Sequence, residues 1–303
     1  MSDRTEHPAT FRAALIQMCT SRDLDENVAT ATALIKQAAA DGANYIQTPE
    51  VTTLMEMRSA DLFEKTPWAD NNAPASAFAS LAQTLGIWLH IGSMGVRVSD
   101  DKIANRSFLF SPAGEIAASY DKIHMFDVTL GNGEHYRESK NYRPGTTPVV
   151  ARLPWGRMGM TICYDLRFPS LYEELARAET EMLAIPSAFT IPTGKAHWEA
   201  LLRARAIETQ CFVFAAAQAG EHACRRSTYG HSLIISPWGE ILAEGGDSAP
   251  EVVTADIAMS DIAEARRKVP ALDHRRAFEG VSEQGQAPTT TAGPGADTAE
   301  DAA

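Results

Sequence analysis

The 303-residue chain has few cysteines and no apolar run long enough to cross a bilayer, which takes about 20 residues. Its first ten residues, MSDRTEHPAT, are polar, so no secretion signal is predicted there. The four cysteines, Cys19, Cys163, Cys211 and Cys224, form no CxxC pair, and neither disulfides nor a zinc site is expected. These absences favour a cytoplasmic protein with free thiols.

Basic residues are also in the minority, since 27 Lys and Arg stand against 39 Asp and Glu and the net charge is −12. Because nucleic-acid binding relies on a positively charged footprint, no nucleic-acid partner is expected. The same acidic balance gives no reason to expect binding to an anionic membrane. The apolar fraction of 45% suits one large α/β domain or two small ones.

Strand and helix patterns alternate along the chain. In the first third, strands are predicted at 11–18, 43–50 and 87–96, and helices at 23–42 and 73–86. Further along, strands are predicted at 157–163, 181–187 and 211–218, and helices from Pro169, at 195–210 and at 260–269. This alternation predicts a sheet covered by helices.

Two stretches in different halves of the chain, 107–120 and 232–245, resemble each other. Each places Ser-Pro-x-Gly-Glu between two strand patterns. Proline at the second turn position and glycine at the fourth suit a type I turn between antiparallel strands. We therefore predict two equivalent hairpins in two facing sheets.

Three functional side chains, Glu50, Lys122 and Cys163, directly follow apolar strand patterns, at the strand ends where ligands of α/β proteins gather. Singly, such a Glu or Lys is usually a solvated loop charge, but the three together indicate chemistry. A thiol with an ordinary pKa of about 8.5 needs a base or a cation beside it to attack at neutral pH. Glu50 suits that base, and Lys122 suits a donor to the oxyanion formed when a thiolate adds to a carbonyl. The backbone N–H of Tyr164 suits a second donor, so acyl transfer without a histidine is favoured.

Four motifs in order resemble those of the nitrilase, or carbon–nitrogen hydrolase, superfamily. They are TPE (48–50), YDKIH (120–124), HYRES (135–139) and GMTICYD (159–165), the last followed by LRFP. The resemblance runs from about Phe11 to about Arg276 and implies a four-layer αββα sandwich that usually dimerises. Accordingly, we expect an N-terminal extension at 1–10, a carbon–nitrogen hydrolase domain at 11–280 and, from its composition, a disordered tail at 281–303.

The resemblance also implies roles for individual residues. Glu50 would be the general base, Lys122 the stabiliser of the oxyanion and Cys163 the nucleophile. Glu138 would be an accessory carboxylate that orients Lys122 or the attacking water, unless it is a surface charge in a polar loop. No metal or organic cofactor is implied, and the expected partners are a small-molecule amide and a second copy of the chain.

Stretches 196–220, 225–232 and 236–240 resemble one branch of the superfamily, the deaminated-glutathione amidases. That branch cleaves the amide of a glutathione whose α-amino group has become a ketone, releasing 2-oxoglutarate and cysteinylglycine. The alternatives are an ω-amidase acting on 2-oxoglutaramate, a hydrolase of nitriles or N-carbamoyl amino acids, and a non-catalytic scaffold of the same fold.

Four further residues and one segment are candidates for roles near the site. Arg167 suits a clamp for a substrate carboxylate, because guanidinium pairs bidentately with carboxylate, although it also suits an internal ion pair. Phe189 is expected either to line the pocket or to belong to the core. His197 and His231 are alternative bases for Cys163. The polar segment 131–145 is expected to be a mobile loop over the site.

Overall fold

The computed structural model describes residues 9–131 and 133–282 of the chain. The strands in these ranges are β1 (Thr10–Gln17), β2 (Tyr45–Gln47), β3 (Trp88–Arg97), β4 (Ile103–Phe110), β5 (Ile116–Asp121), β6 (Asp127–Thr129), β7 (His135–Arg137), β8 (Val149–Leu153), β9 (Gly156–Met160), β10 (Met182–Ala184), β11 (Phe212–Ala215), β12 (Ala219–Glu221), β13 (Ser227–Tyr229), β14 (Leu233–Ile235), β15 (Ile241–Glu244) and β16 (Glu251–Ala258). The α-helices are α1 (Leu24–Ala40), α2 (Ser59–Lys65), α3 (Ala73–Leu85), α4 (Pro169–Arg177), α5 (Ile191–Thr209) and α6 (Ser260–Lys268). Two 3₁₀ helices span Glu138–Lys140 and Cys163–Arg167. None of the helices in the described ranges is both long enough and apolar enough to cross a membrane.

Two six-stranded sheets form the centre of the described structure. The strand order is β16-β1-β2-β3-β4-β5 in the first sheet and β15-β14-β11-β10-β9-β8 in the second. The sheets pack face to face, with the rings of Tyr45 and Phe214 5.4 Å apart and those of Phe11 and Trp155 stacked at 4.1 Å. Helices α1 and α3 cover the outer face of the first sheet, and α4 and α5 cover that of the second. This is the four-layer αββα sandwich that the resemblance to the superfamily implies.

The two predicted hairpins are confirmed. Strands β4 and β5 pair at the edge of the first sheet, and β14 and β15 pair at the edge of the second. In each turn a glycine N–H donates to a serine carbonyl oxygen at 2.9 Å, from Gly114 to Ser111 and from Gly239 to Ser236. Both glycines have positive φ, of 78° and 85°, which glycine adopts without strain.

Element boundaries differ from the prediction near the site. The predicted strand 157–163 ends at Met160, because the chain turns into a 3₁₀ helix at Cys163. Helix α2 was not predicted, since seven residues carry too short a pattern. Lys122 directly follows a strand, β5, as predicted, but β5 lies at a sheet edge and most of its residues are partly or fully exposed.

The predicted domain boundaries stay predictions. Regular structure in the described ranges starts at Thr10 with β1 and ends at Lys268 with α6. The predicted N-terminal extension, 1–10, lies outside the described residues except for its last two, and the predicted tail, 281–303, except for its first two.

A buried histidine lies in β3. The Nδ1 of His90 lies 2.8 Å from the Tyr45 hydroxyl, and its Nε2 lies 2.6 Å from the Ser107 hydroxyl. Both partners are neutral, so no carboxylate offsets the cost of burying a charged ring. Burial therefore lowers the pKa of His90 from 6.5 to about 3.

This shift predicts an acid-sensitive fold. Between about pH 6.5 and about pH 3 the unfolded chain binds a proton at His90 that the folded protein does not. The free energy of unfolding should therefore fall by up to about 1.4 kcal/mol for each unit by which the pH drops within that range. Guanidinium chloride unfolding of wild type and His90→Gln between about pH 7.5 and about pH 5 measures the effect. The variant should be less stable at the higher pH but lose less stability on acidification; equal losses would contradict the prediction.

Candidate active site

Glu50, Lys122 and Cys163 line a single cavity of about 260 Å³. Glu50 follows β2 and Lys122 follows β5, two strands of the first sheet that run in the same direction. Their carboxyl ends therefore lie at the same edge of that sheet. Cys163 follows β9 in the opposite sheet, so the packing of the two sheets completes the cluster.

Glu50 occupies a turn after β2 and is only 4% exposed. Its backbone oxygen accepts a hydrogen bond from Gln218 Nε2 at 2.9 Å, which ties the turn to the chain beyond β11. Its carboxylate Oε1 accepts from Lys122 Nζ at 2.8 Å and from Asn105 Nδ2 at 3.0 Å. These contacts compensate the burial of the carboxylate and fix its orientation.

Lys122 bridges two carboxylates. Its Nζ lies 2.8 Å from Glu50 Oε1 and 2.8 Å from Glu138 Oε2, and the residue is only 2% exposed. Glu138 also accepts a hydrogen bond from the backbone N–H of Phe126 at 2.7 Å. The alternative that Glu138 is a solvated surface charge is therefore wrong, because its carboxylate is held inside the cluster.

Cys163 has an unusual backbone conformation. Its φ of 49° lies in the left-handed region, which residues other than glycine rarely adopt. Its own N–H donates to the carbonyl oxygen of Pro186 at 3.0 Å. This bond joins Cys163 to the segment that directly follows β10. Strain of this kind is typical of functional residues. The N–H of Tyr164 follows in the first turn of the 3₁₀ helix, where backbone N–H groups have no acceptor within the helix.

Asp165 joins the cysteine and lysine segments. Its buried carboxylate accepts hydrogen bonds from the Tyr120 hydroxyl at 2.7 Å and from the Ile162 N–H at 2.9 Å. It also accepts from the backbone N–H of His124 at 3.0 Å. Since Tyr120 and His124 flank Lys122 in the chain, this one carboxylate ties the segment that carries the lysine to the segment that carries the cysteine.

Opposite charges set the ionisation of the cluster. Burial alone would raise the pKa of Glu50, but the Lys122 ammonium, helped by the charge of Arg226 and a hydrogen bond with Cys163, outweighs burial, and the pKa is lowered. Burial alone would lower the pKa of Lys122, but Glu138 and Glu50 raise it well above its usual value. Burial raises the pKa of the Cys163 thiol, and the Glu50 charge raises it further. At neutral pH the site therefore holds an ionised carboxylate, a protonated lysine and a neutral thiol.

Arg167 also lines the cavity. Its Nη1 lies 3.2 Å from His197 Nδ1, and its guanidinium carbon lies 5.3 Å from the centroid of the Phe189 ring. Among the described residues no carboxylate forms an ion pair with Arg167, so the internal ion pair weighed as an alternative is absent there. Phe189 lines the cavity and also packs on Trp198 at 4.8 Å, so it belongs to both the wall and the core.

The two histidines considered as alternative bases are not in this cavity. His197 and His231 line a separate depression beside α5. The predicted loop 131–145 does contribute to the cavity wall, from His135 to Tyr142, through β7 and a 3₁₀ helix. Its expected mobility stays a prediction.

Two residues of the site were missed by sequence reasoning. Asn105 donates to both Glu50 and Glu138, and its only signal is a polar side chain within the apolar strand β4. Arg226 lines the cavity from the turn between β12 and β13, and no local pattern indicates that position.

Across the described ranges, no group of three or more His, Cys, Asp and Glu side chains is arranged to hold a metal ion.

Comparison with known sequences gives a consistent group of relatives. A family model for carbon-nitrogen hydrolases matches residues 12–267. The chain is 40% identical over 267 residues to the deaminated glutathione amidase of Yersinia enterocolitica, covering 87% of this chain and 92% of that protein. It is 39% identical over 270 residues to the deaminated glutathione amidase of Mus musculus, covering 87% of this chain and 82% of that protein.

Solved structures share the same architecture. The NitFhit protein of C. elegans superposes with a TM-score of 0.81 at 31% identity, covering 92% of this chain and 70% of that chain. Nit3 of Saccharomyces cerevisiae, described as a member of branch 10 of the nitrilase superfamily, superposes with a TM-score of 0.78 at 27% identity. That match covers 87% of this chain and 96% of the yeast chain.

Proposed function

Since the chain belongs to the carbon–nitrogen hydrolase family, we propose that it is a cysteine-dependent amidase that hydrolyses deaminated glutathione to 2-oxoglutarate and cysteinylglycine. The observation that carries this proposal is the single cavity lined by Cys163, Glu50 and Lys122, in which the lysine ammonium lies 2.8 Å from the Glu50 carboxylate. The choice of substrate is supported by relatives with that activity in their name, which are up to 40% identical to this chain.

The first half of the reaction forms a thioester. Glu50 takes the proton of the neutral Cys163 thiol as the sulfur attacks the amide carbonyl carbon. The carbonyl oxygen becomes an oxyanion, which accepts hydrogen bonds from Lys122 Nζ and the Tyr164 N–H. Glu50 then gives its proton to the departing nitrogen, the C–N bond breaks, and the acyl group stays on sulfur.

The second half releases the acid. Glu50 takes a proton from a water molecule, which attacks the thioester carbonyl, and the same two donors stabilise the second oxyanion. The C–S bond breaks, Cys163 recovers its proton from Glu50, and 2-oxoglutarate leaves. Glu138 acts through Lys122 as a positioning residue, because its carboxylate keeps the ammonium protonated and directed into the cavity.

Arg167 is assigned to the carboxylate of the 2-oxo acid end of the substrate. Its guanidinium lies on the cavity wall without a carboxylate partner among the described residues, and a fork of two N–H groups matches a carboxylate. Phe189 supports the Arg167 guanidinium from the core side at 5.3 Å.

A substrate panel tests this function. The full chain is incubated with deaminated glutathione, 2-oxoglutaramate and a simple nitrile, and 2-oxoglutarate, cysteinylglycine and ammonia are quantified. We expect kcat/KM for deaminated glutathione to exceed that for the other two by at least about tenfold. Equal or faster hydrolysis of 2-oxoglutaramate would favour the ω-amidase alternative, and no turnover of any amide would favour a scaffold.

We further propose that the protein works as a cytoplasmic homodimer. Three large apolar side chains on the second-sheet side are well exposed in the single chain: Ile207 (52%), Trp238 (49%) and Leu242 (39%). A self-association surface would bury such residues. Light scattering in solution measures the mass, and a value of 32.8 kDa, that of one chain, would contradict the dimer.

A further inference from the structure

Arg226 contributes a guanidinium to the wall of the active-site cavity, separate from that of Arg167. Its Nη2 donates to the carbonyl oxygen of Ala188, the residue that precedes Phe189. Its guanidinium carbon lies 5.4 Å from the centroid of the Tyr136 ring. These contacts from two different segments hold the side chain at the cavity wall.

The hydrogen-bonding capacity of Arg226 is incompletely used. Its Nε is shielded from solvent and has no partner among the described residues. Within the same residues no carboxylate forms an ion pair with its guanidinium. Of the guanidinium nitrogens, Nη2 donates to Ala188, and Nη1 donates no hydrogen bond to the described residues, which leaves it available to a ligand. A charge that is partly withdrawn from water is stabilised by pairing with an anion. A ligand carboxylate is the group that best matches a planar guanidinium.

Arg226 lies close enough to Glu50 for its positive charge to affect the pKa of the Glu50 carboxyl. Burial raises the pKa of Glu50, Lys122 lowers it, and the charge of Arg226 lowers it further. In the mechanism above, Glu50 protonates the departing nitrogen, so the leaving group lies beside Glu50. Arg167, in contrast, extends from the Cys163 helix toward Phe189 and His197.

We propose that Arg226 binds a second carboxylate of the substrate, on the leaving-group side of the scissile amide, and thereby determines specificity for a dipeptide leaving group over ammonia. The inference rests on the proposed function and adds a residue and a recognition rule to it. Deaminated glutathione carries one carboxylate on its 2-oxo acid end and one on its glycine end, which matches two cavity guanidiniums without carboxylate partners. The substrate 2-oxoglutaramate carries only the first of these carboxylates.

The test combines substrate and protein changes. Wild type, Arg226→Gln and Arg226→Lys are assayed with deaminated glutathione, with its C-terminal glycinamide analogue, and with 2-oxoglutaramate. Arg225→Gln is the matched control, because Arg225 is exposed and does not line the cavity. We expect wild type to prefer the free acid over the glycinamide by about 10- to 100-fold in kcat/KM, mainly through KM. Arg226→Gln should lose this preference and Arg226→Lys should retain part of it. In both variants kcat/KM should fall more for deaminated glutathione than for 2-oxoglutaramate, which carries no carboxylate on the leaving-group side.

Three outcomes would overturn the inference. If wild type hydrolyses the free acid and the glycinamide equally well, no second carboxylate is recognised, and this arm needs no variant that might misfold. If Arg226→Gln keeps the full preference, or loses activity equally on all three substrates, the residue does not determine specificity. If wild type does not release 2-oxoglutarate from the free acid at all, the proposed function fails and the inference fails with it.

Discussion

Replacement of Cys163 by alanine is expected to abolish release of 2-oxoglutarate from deaminated glutathione, with kcat reduced by a factor on the order of 10⁶. No covalent acyl-enzyme can form without the sulfur, and the remaining donors alone give only weak catalysis of attack by water. The fold should survive, because the substitution removes a single buried atom and leaves the hydrogen bond from the residue-163 N–H to Pro186 in place.

The control for this variant is Cys224→Ala, which removes a thiol that does not line the cavity and should retain wild-type kcat. Mass spectrometry of acid-quenched reactions adds a direct readout. Wild type should carry a 2-oxoglutaryl group on the peptide that contains Cys163, and the alanine variant should carry none. Turnover by Cys163→Ala within tenfold of wild type would remove the cysteine from the mechanism.

Replacement of Lys122 by methionine should reduce kcat by about 10²- to 10³-fold, the usual consequence of losing one donor to an oxyanion. It should also destabilise the protein by about 3–5 kcal/mol, because the buried Glu50 and the partly buried Glu138 are then left without their shared cation. Kinetics at saturating substrate and guanidinium chloride unfolding measure the two effects separately.

A double variant separates catalysis from folding. Lys122→Met combined with Glu138→Gln leaves the cluster with the same net charge as in wild type, since one cation and one anion are removed together. We expect the double variant to recover part of the lost stability but none of the lost kcat. If its kcat returned to the wild-type value, Lys122 would have a structural role only.

The Lys122 variant should also respond differently to pH. In wild type the lysine lowers the pKa of Glu50, so the base stays ionised well below neutral pH. Without the lysine, the charge of Arg226 is the remaining cation that opposes the effect of burial on Glu50, so the pKa of Glu50 should rise and the acid limb of kcat/KM should move to higher pH. An unchanged acid limb would show that Glu50 is not the group that titrates.

The sequence patterns predicted which helices and strands build the site more accurately than they predicted where those elements end. The β-α-β rhythm and the two Ser-Pro-x-Gly-Glu turns were sufficient for two facing sheets, because turn chemistry and hydrophobic periodicity act over a few residues. The end of β9 was placed three residues late, since Met158–Cys163 reads as one apolar run. In the structure this run divides into a strand that ends at Met160 and a turn in which Cys163 has positive φ and donates its N–H to the Pro186 carbonyl oxygen, a contact between residues distant in the chain.

Sequence by itself determined which residue types were available for chemistry: a thiol, two carboxylates and a lysine in four family-like motifs. Tertiary structure alone decided the ionisation and reactivity of these residues, because both depend on burial and on neighbours that are distant in the chain. Glu138 changed from a potential surface charge into a partly buried partner of Lys122. Asn105 entered the site with only a weak local signal, and Arg226 with no local signal for that role. Electrostatic interactions among these side chains become strong only in the folded protein, where the two packed sheets exclude water from the site. Local sequence patterns do not predict which side chains this packing brings together.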